Sequence, residues 1–336
     1  MLLCANNAIF RYSYSDIAMG QEMHEGDRIG RRMKLHDLHV LMAAVQTGSM
    51  SKAAGLLNTT QSAISRSIAE LEHAIGVRLL DRGSKGIEPT TYGRALLKRG
   101  VAVFDELKQG VQDIEFLCNP EAGELLIGSG SALAEGFVLA VINRLSRRYP
   151  RAVYHVVPAS LLKLYNQLRE RRIDLGFSGD AELDPEEDID AEVLFEEPLV
   201  VVAGKENPWV RRRKIDLADL VNEPWTWSPP GGVIYTLVVE AFRASGLEPP
   251  RATVYTDVTN VRIGLAATRG FLTVVPASML KFPAKHEQLR QLPVELPTTR
   301  RQIGIITLKN RTLTPLAQLF IECAREVAKP LVKRWP

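Results

Sequence analysis

The chain has 336 residues, of which 46% are hydrophobic and 24% charged, and its formal net charge is +3. This is the composition of a soluble globular protein long enough for two or three domains. No apolar run is long enough for a membrane span, so we expect no membrane partner. Because Cys4, Cys118 and Cys323 are widely spaced and no histidines form a ligand pair, we expect buried, inert thiols, no metal and no cofactor.

The positive charge is concentrated towards the N terminus. Between residues 33 and 100 there are nine Lys and Arg but only five Asp and Glu, a local net charge of +4. A basic segment on a nearly neutral body predicts a polyanion-binding module attached to a second, different part.

Residues 1–32 do not have the pattern of a secretory signal. No basic region precedes the apolar start, and no small-residue cleavage site follows it. Met19, Met23 and Met33 are alternative starts. We expect residues 1–32 to be a disordered extension or a mis-assigned start.

Three short helices are predicted after residue 33. Residues 35–47 form the first, Ser49 or Ser51 caps the second within SKAAGLLN, and the third begins after Thr60 and ends at Gly76. Short helices separated by tight turns predict a helix-turn-helix. The glycine-rich, basic stretch that follows, LLDRGSKGIEPTT, predicts a two-stranded wing.

The third helix, TTQSAISRSIAELEHAIG, is expected to have one buried and one open face. Ile64, Ile68, Leu71 and Ile75 recur at helical spacing and predict the buried stripe. The open face carries small or fork-shaped hydrogen-bonding groups, as a helix that enters the major groove of DNA requires. The candidate DNA contacts are Lys52, Thr60, Gln61, Ser62, Ser65, Arg66, Arg82, Ser84 and Lys85. The alternative for the serines and for Lys52 is an ordinary solvated surface.

A long helix is predicted from about residue 92 to residue 118. Its apolar residues repeat every seven positions, which is typical of a helix that pairs with its copy in a second chain. The candidate dimerisation residues are Leu97, Phe104, Leu107, Val111 and Ile114. The alternative is a helix packed on its own domain.

From residue 119 onwards, strand-like and helix-like segments alternate. This rhythm predicts an α/β region with a mostly parallel sheet covered by helices. The segment VLFEEPLVVVAG is predicted to be one long strand. GSGS at 128–131 resembles a nucleophile motif, but no histidine neighbours it and no phosphate-binding fingerprint follows, so we expect no enzyme.

These motifs together resemble one known family. MKLHDLHVLMAAVQTGSMSKAAGLLNTTQSAISRSIAELEHAIGVRLLDRGSKGIEPTTYG is similar to the N-terminal domain of LysR-type transcriptional regulators, and GELLIGSG, RRIDLGFSG, FEEPLVVVAG and LADLVNEPW continue the resemblance. It implies an α/β protein with an all-α winged helix-turn-helix N-terminal domain and an effector region of two Rossmann-like α/β lobes, similar to periplasmic solute-binding proteins. The implied domains are the DNA-binding domain at 33–91, a linker and dimerisation helix at 92–119 and an effector-binding domain at 120–336. Its first lobe would span about 121–194 and 300–336, and its second about 195–299.

The resemblance also implies a ligand cleft between the lobes, at the carboxyl ends of strands, where open α/β sheets generally bind ligands. The matching candidate residues are Ser129, Ser131, Ser160, Ser228, Thr256 and Phe271. Two positions depart from the family pattern, namely Ala132 in place of a frequent hydroxyl and RGF at 269–271 in place of a frequent GxG. Hydroxyls and helix N-termini favour a small organic anion. The alternative for each serine is a turn or cap role.

The expected function is that of a cytoplasmic LysR-type regulator whose promoter binding or activation is controlled by a small-molecule effector. The expected partners are double-stranded promoter DNA, the effector, RNA polymerase and further copies of the chain in a dimer or tetramer. Two alternatives stay open at this point. One is a DNA-binding architectural protein without an effector, and the other is an enzyme or a transport binding protein built on the α/β body.

Overall fold

The structure is a computed structural model that describes residues 33–83, 86–119, 121–179, 186–282 and 288–332. The expectation for residues 1–32 and the candidate contacts Ser84 and Lys85 lie outside the described residues. The chain divides into two compact units between Ala102 and Val103.

The first unit is a three-helix domain with a hairpin. Its elements are α1 (Leu35–Thr47), α2 (Met50–Leu56), α3 (Gln61–Ile75), β1 (Leu80–Gly83), β2 (Gly86–Pro89) and the start of α4 (Thr91–Cys118). The three short helices pack on one another around fully buried Leu41, Ala53, Ile64 and Ile68. The predicted winged helix-turn-helix is therefore confirmed.

The sequence signals at the helix ends act as expected. The Ser49 side chain accepts a hydrogen bond from the amide of Lys52, and Thr60 accepts one from the amide of Ala63 at 3.2 Å. These hydroxyls satisfy backbone donors that have no partner inside the helix. α3 ends at Gly76, which has a φ of 85°, a left-handed conformation that glycine adopts without steric cost.

The second unit is an α/β body. Its strands are β3 (Ala122–Ser129), β4 (Arg151–Pro158), β5 (Leu175–Ser178), β6 (Ile189–Glu197), β7 (Leu199–Gly204), β8 (Trp225–Trp227), β9 (Val254–Tyr255), β10 (Leu272–Pro276), β11 (Leu289–Gln291) and β12 (Arg301–Leu308). Its helices are α5, in three consecutive segments (Ser131–Leu133, the π-helical Ala134–Val138 and Leu139–Leu145), α6 (Leu161–Arg169), α7 (Val233–Ala244), α8 (Thr259–Arg269) and α9 (Pro315–Val332). The second half of α4 also belongs to this unit.

The first lobe has the strand order β4-β3-β5-β12-β6. β3 is parallel to β4 and β5, whereas β12 is antiparallel to β5 and β6. α5 and α9 cover one face, where Phe137, Phe177 and Phe320 form the centre of the core. α6 covers the other face with Leu164 and Leu168.

The second lobe has the strand order β11-β7-β10-β8-β9. β8 is parallel to both β9 and β10, while β7 is antiparallel to β10 and β11. α7 packs on one face, where Phe242 contacts the buried Trp225. α8 packs on the opposite face through Ile263 and Ala266.

One predicted strand is divided in two. VLFEEPLVVVAG does not form a single strand, because β6 ends at Glu197 and β7 begins at Leu199 in the other sheet. Pro198 lies at the break, and proline cannot donate a backbone hydrogen bond to a sheet. The chain crosses between the lobes here and again ahead of β12.

Candidate functional site

The leading face of α3 is open. Gln61, Ser62 and Arg66 are exposed and Ser65 is half-buried, while Ile64 on the opposite face is buried. Thr60 precedes the helix, and its hydroxyl lies 3.0 Å from that of Ser62. This end of the helix therefore presents hydroxyl, amide and guanidinium groups without a bulky apolar side chain. Such a face can enter a DNA groove and read base edges.

The hairpin is held beside the helices by backbone contacts. The amide of Ile87 donates to the carbonyl of Gly48 at 3.2 Å, and a Cβ on Gly86 would lie only 2.7 Å from that same oxygen. The carboxylate of Glu72 accepts from the amides of Leu79 and Leu80 and so ties α3 to β1. Arg82 on β1 is exposed in this hairpin, and so is Lys52 on α2.

The predicted dimerisation residues of α4 differ in exposure along the helix. Leu97 and Phe104 are half-buried, whereas Leu107, Val111 and Ile114 are 49%, 55% and 62% exposed. The last three therefore form an apolar stripe that the described part of this chain leaves open. Pairing through the stripe stays a prediction.

The expectation of buried thiols is wrong for one cysteine. Cys118 is exposed because it is the last residue of α4, whereas Cys323 in α9 is buried. Burial raises the pKa of the Cys323 thiol. Cys4 lies outside the described residues.

The carboxyl ends of the first-lobe strands carry the predicted serines. Ser129 ends β3 and is fully buried, with its hydroxyl donating to the carbonyl of Gly130 at 3.1 Å. Ser131 begins α5 and is half-buried. Ser160 precedes α6, is exposed and makes no side-chain cap bond. The amide of Ala159 donates to the carbonyl of Ser129, so the ends of β3 and β4 lie together.

The second lobe brings two of its three candidates together. Ser228 follows β8 and is buried, and Thr256 follows β9, where its amide donates to the carbonyl of Trp227 at 3.0 Å. The Thr256 hydroxyl accepts from the amide of Val258, which is a turn role. Phe271 precedes β10 and lies at the amino-terminal end of that strand, away from Ser228. The structure does not group it with the others.

The carboxyl ends of β3 in the first lobe and β10 in the second lie close together. Ala132, at the start of α5 in the first lobe, packs against the cluster that contains Val275 and Ala277 of the second. Phe137 and Phe282 have ring centroids 6.0 Å apart. A ligand between the lobes would therefore contact residues of both, as the resemblance implies.

A narrow cavity, too small to hold a water molecule, lies at the carboxyl end of β8. Its lining residues are Trp227, Ser228, Ile234, Tyr235, Val238, Arg262 and Val274. Of these, only Ser228 is among the residues predicted from the sequence. Arg262 could have been found, because it occupies a position on the apolar stripe of α8 where a charged residue is unexpected.

A buried carboxylate lies where the chain crosses between the lobes. Glu197 at the end of β6 accepts a hydrogen bond from the amide of Ser278 in the second lobe at 2.7 Å. The guanidinium of Arg301, its neighbour in the register of β12 and β6, lies 3.8 Å from the other carboxylate oxygen. Burial raises the pKa of Glu197, against the opposing effect of Arg301.

Within the described ranges, no helix has the length and apolarity needed to cross a membrane. In the same ranges, no three His, Cys, Asp or Glu side chains are grouped to bind a metal ion.

The fold and these sites define a class: a winged helix-turn-helix protein that carries a two-lobed α/β ligand-binding body. Residues 35–94 match the family described as bacterial regulatory helix-turn-helix protein, lysR family, and residues 119–329 match the LysR substrate binding domain. The chain belongs to the LysR family, and it is a DNA-binding transcriptional regulator with an effector-binding domain.

Curated relatives and solved structures agree with this assignment. The chain is 28% identical over 290 residues to the transcriptional dual regulator GltC of Bacillus subtilis, covering 86% of this chain and 96% of that protein. It is 27% identical to the regulator TdcA of Escherichia coli K12, covering 87% and 93%.

Two full-length structures have a similar fold. CbnR in complex with its target DNA covers 88% of this chain and is itself covered completely, at a TM-score of 0.51 and 22% identity. A full-length OxyR variant from Pseudomonas aeruginosa has a TM-score of 0.59 at 20% identity, with 88% and 97% covered.

Proposed function

We propose that this LysR-type regulator reads promoter DNA with the leading face of α3. The observation that carries the proposal is the exposure of Gln61, Ser62 and Arg66 on a helix whose other face is anchored by Ile64 and Ile68. A rigid helix with a thin polar face fits the major groove, where each base pair presents a distinct hydrogen-bonding pattern.

The residues have separate roles in this proposal. Gln61 pairs with adenine, because its amide matches the acceptor and the donor that adenine presents in the major groove. Arg66 pairs with guanine, because its guanidinium matches the two acceptors that guanine presents there. The hydroxyls of Thr60, Ser62 and Ser65 contact base edges or phosphates. Arg82, Ser84 and Lys85 of the hairpin contact DNA phosphates or the minor groove, and Lys52 contacts a phosphate, a kind of contact that carries no sequence information itself.

A second copy of the chain completes the binding site on DNA. Leu107, Val111 and Ile114 form the apolar stripe that supports pairing through α4, in a dimer or in a tetramer of two dimers. Two DNA-binding domains related by two-fold symmetry require two related half-sites on the promoter. RNA polymerase at that promoter is the further partner, and the protein acts where that DNA is, in the cytoplasm.

The effector lies between the two lobes in this proposal. Ser129, Ser131 and Ser160 contribute from the first lobe and Ser228 and Thr256 from the second, and they favour a small organic molecule with hydrogen-bond acceptors. Its binding changes the angle between lobes that two chain crossings join. The effector site and the DNA-binding domain are then two distinct sites, and the effector and DNA shift the same conformational equilibrium.

Selection from a pool of random DNA duplexes tests the reading role, with the full chain in salt near physiological. The wild-type protein enriches a sequence, and Arg66→Ala relaxes the preference at one position by about 1–3 kcal/mol of discrimination. Lys34→Ala is the control, because it removes one exposed positive charge from the same unit, one that lies ahead of α1 and not on α3 and that pairs with Glu70 at 3.8 Å. Unchanged selection by Arg66→Ala contradicts the role.

A further inference from the structure

Arg262 occupies an unusual place on α8. The buried positions of this helix are Thr259, Arg262, Ile263 and Ala266, which is the spacing of an apolar stripe. The Arg262 residue is only 4% exposed. An ionised side chain that is withdrawn from water loses free energy unless an opposite charge or good hydrogen bonds replace the water.

The described residues give the Arg262 guanidinium few of the hydrogen bonds that water would provide. The Nη1 atom donates to the carbonyl of Val274 at 3.3 Å and Nη2 to the hydroxyl of Thr259 at 3.5 Å, and both bonds are long. The buried Nε atom has no acceptor, and within the described ranges no carboxylate lies within 4 Å of the guanidinium. Asp257 and Glu135 favour the charged form from farther away, yet burial outweighs them and lowers the pKa of Arg262.

The guanidinium lies at a point where the sheet topology favours ligand binding. β8 and β10 are parallel neighbours, and the helix after β8, α7, packs on one face of the sheet. Ala277 and Met279, which follow β10, pack on the opposite face with Ile263 and Ala266 of α8. The connections therefore diverge at the carboxyl ends of these two strands. In open α/β sheets, this divergence leaves a crevice in which ligands bind.

The cavity beside Arg262 provides further donors and an apolar wall. Among the described residues, the buried indole Nε1 atom of Trp227 has no hydrogen-bond partner, and Ser228 lines the same space. Ile234 and Val238 form the apolar side. A lining with guanidinium, indole and hydroxyl donors as well as aliphatic groups fits an anionic head with two acceptor oxygens on a compact apolar body.

A carboxylate fits this set better than a phosphate. The planar guanidinium fork matches the two oxygens of a carboxylate, and few donors surround it for the additional oxygens of a phosphate. The cavity is narrow, because no water-sized sphere fits inside it. Entry of a ligand therefore has to displace Tyr235 or the loop after Ser228, at the start of α7.

We propose that the cavity at the carboxyl ends of β8 and β10 binds the carboxylate of a small carboxylic acid, with Arg262 as its counter-ion and Trp227 and Ser228 as further donors. This inference rests on the proposed effector site, with which the cavity shares Ser228, and it names the chemical group of the effector that the second lobe binds. Binding at this position alters the loop between β8 and α7 and so acts on the second lobe directly.

Calorimetric titration of the full chain tests the proposal with two matched pairs of probes: benzoate with benzamide, and isobutyrate with isobutyramide. At millimolar concentration we expect at least one acid to bind with one site per chain, and its amide not to bind. Arg262→Met should weaken binding on the order of tenfold to a hundredfold, as the loss of a charge-assisted hydrogen bond predicts. Arg243→Met, on the exposed side of α7, should leave binding unchanged.

Arg262→Lys keeps the positive charge but loses the planar guanidinium, so it should bind the acid with intermediate affinity. This variant tests the proposal even if Arg262→Met does not fold. Equal binding of acid and amide, equal binding by wild type and Arg262 variants, or no binding of either acid would overturn the proposal. DNA binding of every variant is measured in parallel without probes. Intact DNA binding with no acid binding overturns this inference alone, whereas loss of DNA binding by the wild type would also overturn the proposed function.

Discussion

Asp105 on α4 and Arg311 after β12 form a two-pronged ion pair. The Nε atom of Arg311 donates to one oxygen of the Asp105 carboxylate and Nη2 to the other, both at 2.9 Å. Arg171 and Gln109 donate to the same carboxylate. Arg311 also donates to Asp174, whose second oxygen accepts from the amide of Leu126 in β3. This buried cluster fixes the second half of α4 to the first lobe.

Replacing Asp105 should destabilise the second unit strongly. Asp105→Asn removes the counter-ion that Arg311 and Arg171 share, while Arg311 keeps Asp174 and Arg171 keeps Glu106. The loss of one partner of a buried pair costs about 3–5 kcal/mol, and we expect the lower end of that range here. Urea denaturation followed by tryptophan fluorescence measures this, because Trp209, Trp225, Trp227 and Trp335 all lie after Val103 in the sequence.

The control for Asp105→Asn is Glu192→Gln, which breaks a more exposed pair with Arg325. Exposed pairs contribute roughly 0–1 kcal/mol, so this variant should unfold almost as the wild type does. Equal effects of the two substitutions would show that the Asp105 cluster does not hold the unit together.

Gly93 should tolerate no side chain. A Cβ at this position in α4 would lie 2.1 Å from the carbonyl oxygen of Leu79, and a backbone atom cannot easily move away. Gly93→Ala should therefore destabilise the first unit by about 1–3 kcal/mol, the usual range for overpacking. Hydrogen exchange of peptides from 33–83 in the full chain measures the change.

Gly55→Ala is the matched helical control, because a Cβ there meets nothing within 4 Å. It should leave the first unit unchanged or stabilise it by up to about 1 kcal/mol, since alanine favours a helix over glycine. Faster exchange in Gly55→Ala than in Gly93→Ala would contradict the packing argument.

The stability of the second unit should fall with rising pH because of Glu197. Burial raises the pKa of Glu197 in the folded state above that in the unfolded chain, where a glutamate titrates near about 4.3. Between the two pKa values the folded state holds more protons, so the free energy of unfolding decreases as pH rises through this window. The contribution is fully present below the unfolded pKa and lost above the folded one.

Urea denaturation at a series of pH values checks this with Glu197→Gln, in which that part of the pH dependence should disappear. Glu196→Gln, at the exposed neighbouring position, should keep it. The result would contradict the raised pKa of Glu197 if the difference in free energy of unfolding between wild type and Glu197→Gln stayed constant with pH. It would also do so if the wild type became relatively more stable as pH rises.

Self-association should depend on the apolar stripe of α4. Val111→Glu places a charge between Leu107 and Ile114, so pairing through these residues should weaken by about 1 kcal/mol or more, measured as an increased dissociation constant in sedimentation velocity. Leu162→Glu on α6 is the control, because Leu162 is also strongly exposed but lies outside the stripe. Identical association of both variants would mean that the interface lies elsewhere.

Local patterns in the sequence predicted the first unit well. The cap by Thr60 and the buried stripe of Ile64, Ile68 and Leu71 depend on contacts within or next to one helix, and the structure has them as expected. Ile75, predicted in the same stripe, is 40% exposed in the last turn. The break at Pro198 was missed, because an apolar run on both sides hides a change of sheet.

Features that depend on distant parts of the chain could not be predicted in the same way. Asp105 and Arg311 are 206 positions apart, and only the packing of α4 on the first lobe brings them together. Phe271 was placed in the cleft by resemblance, whereas strand direction puts it at the other end of β10. The helical position of Arg262 marks it in the sequence, but its neighbours Trp227 and Val274 could not be predicted without the order of the strands.

Footprinting on the DNA upstream of the chain's own gene tests the central claim most directly. The protein that starts at Met33 should protect a site with two-fold symmetry in salt near physiological, and Arg66→Ala should lose that protection at a concentration where Lys34→Ala retains it. A change in the protected length on addition of small-metabolite extracts would show that an effector in the extract acts on DNA binding. The same weak protection by all three proteins, no greater than on unrelated DNA, would contradict sequence reading by α3.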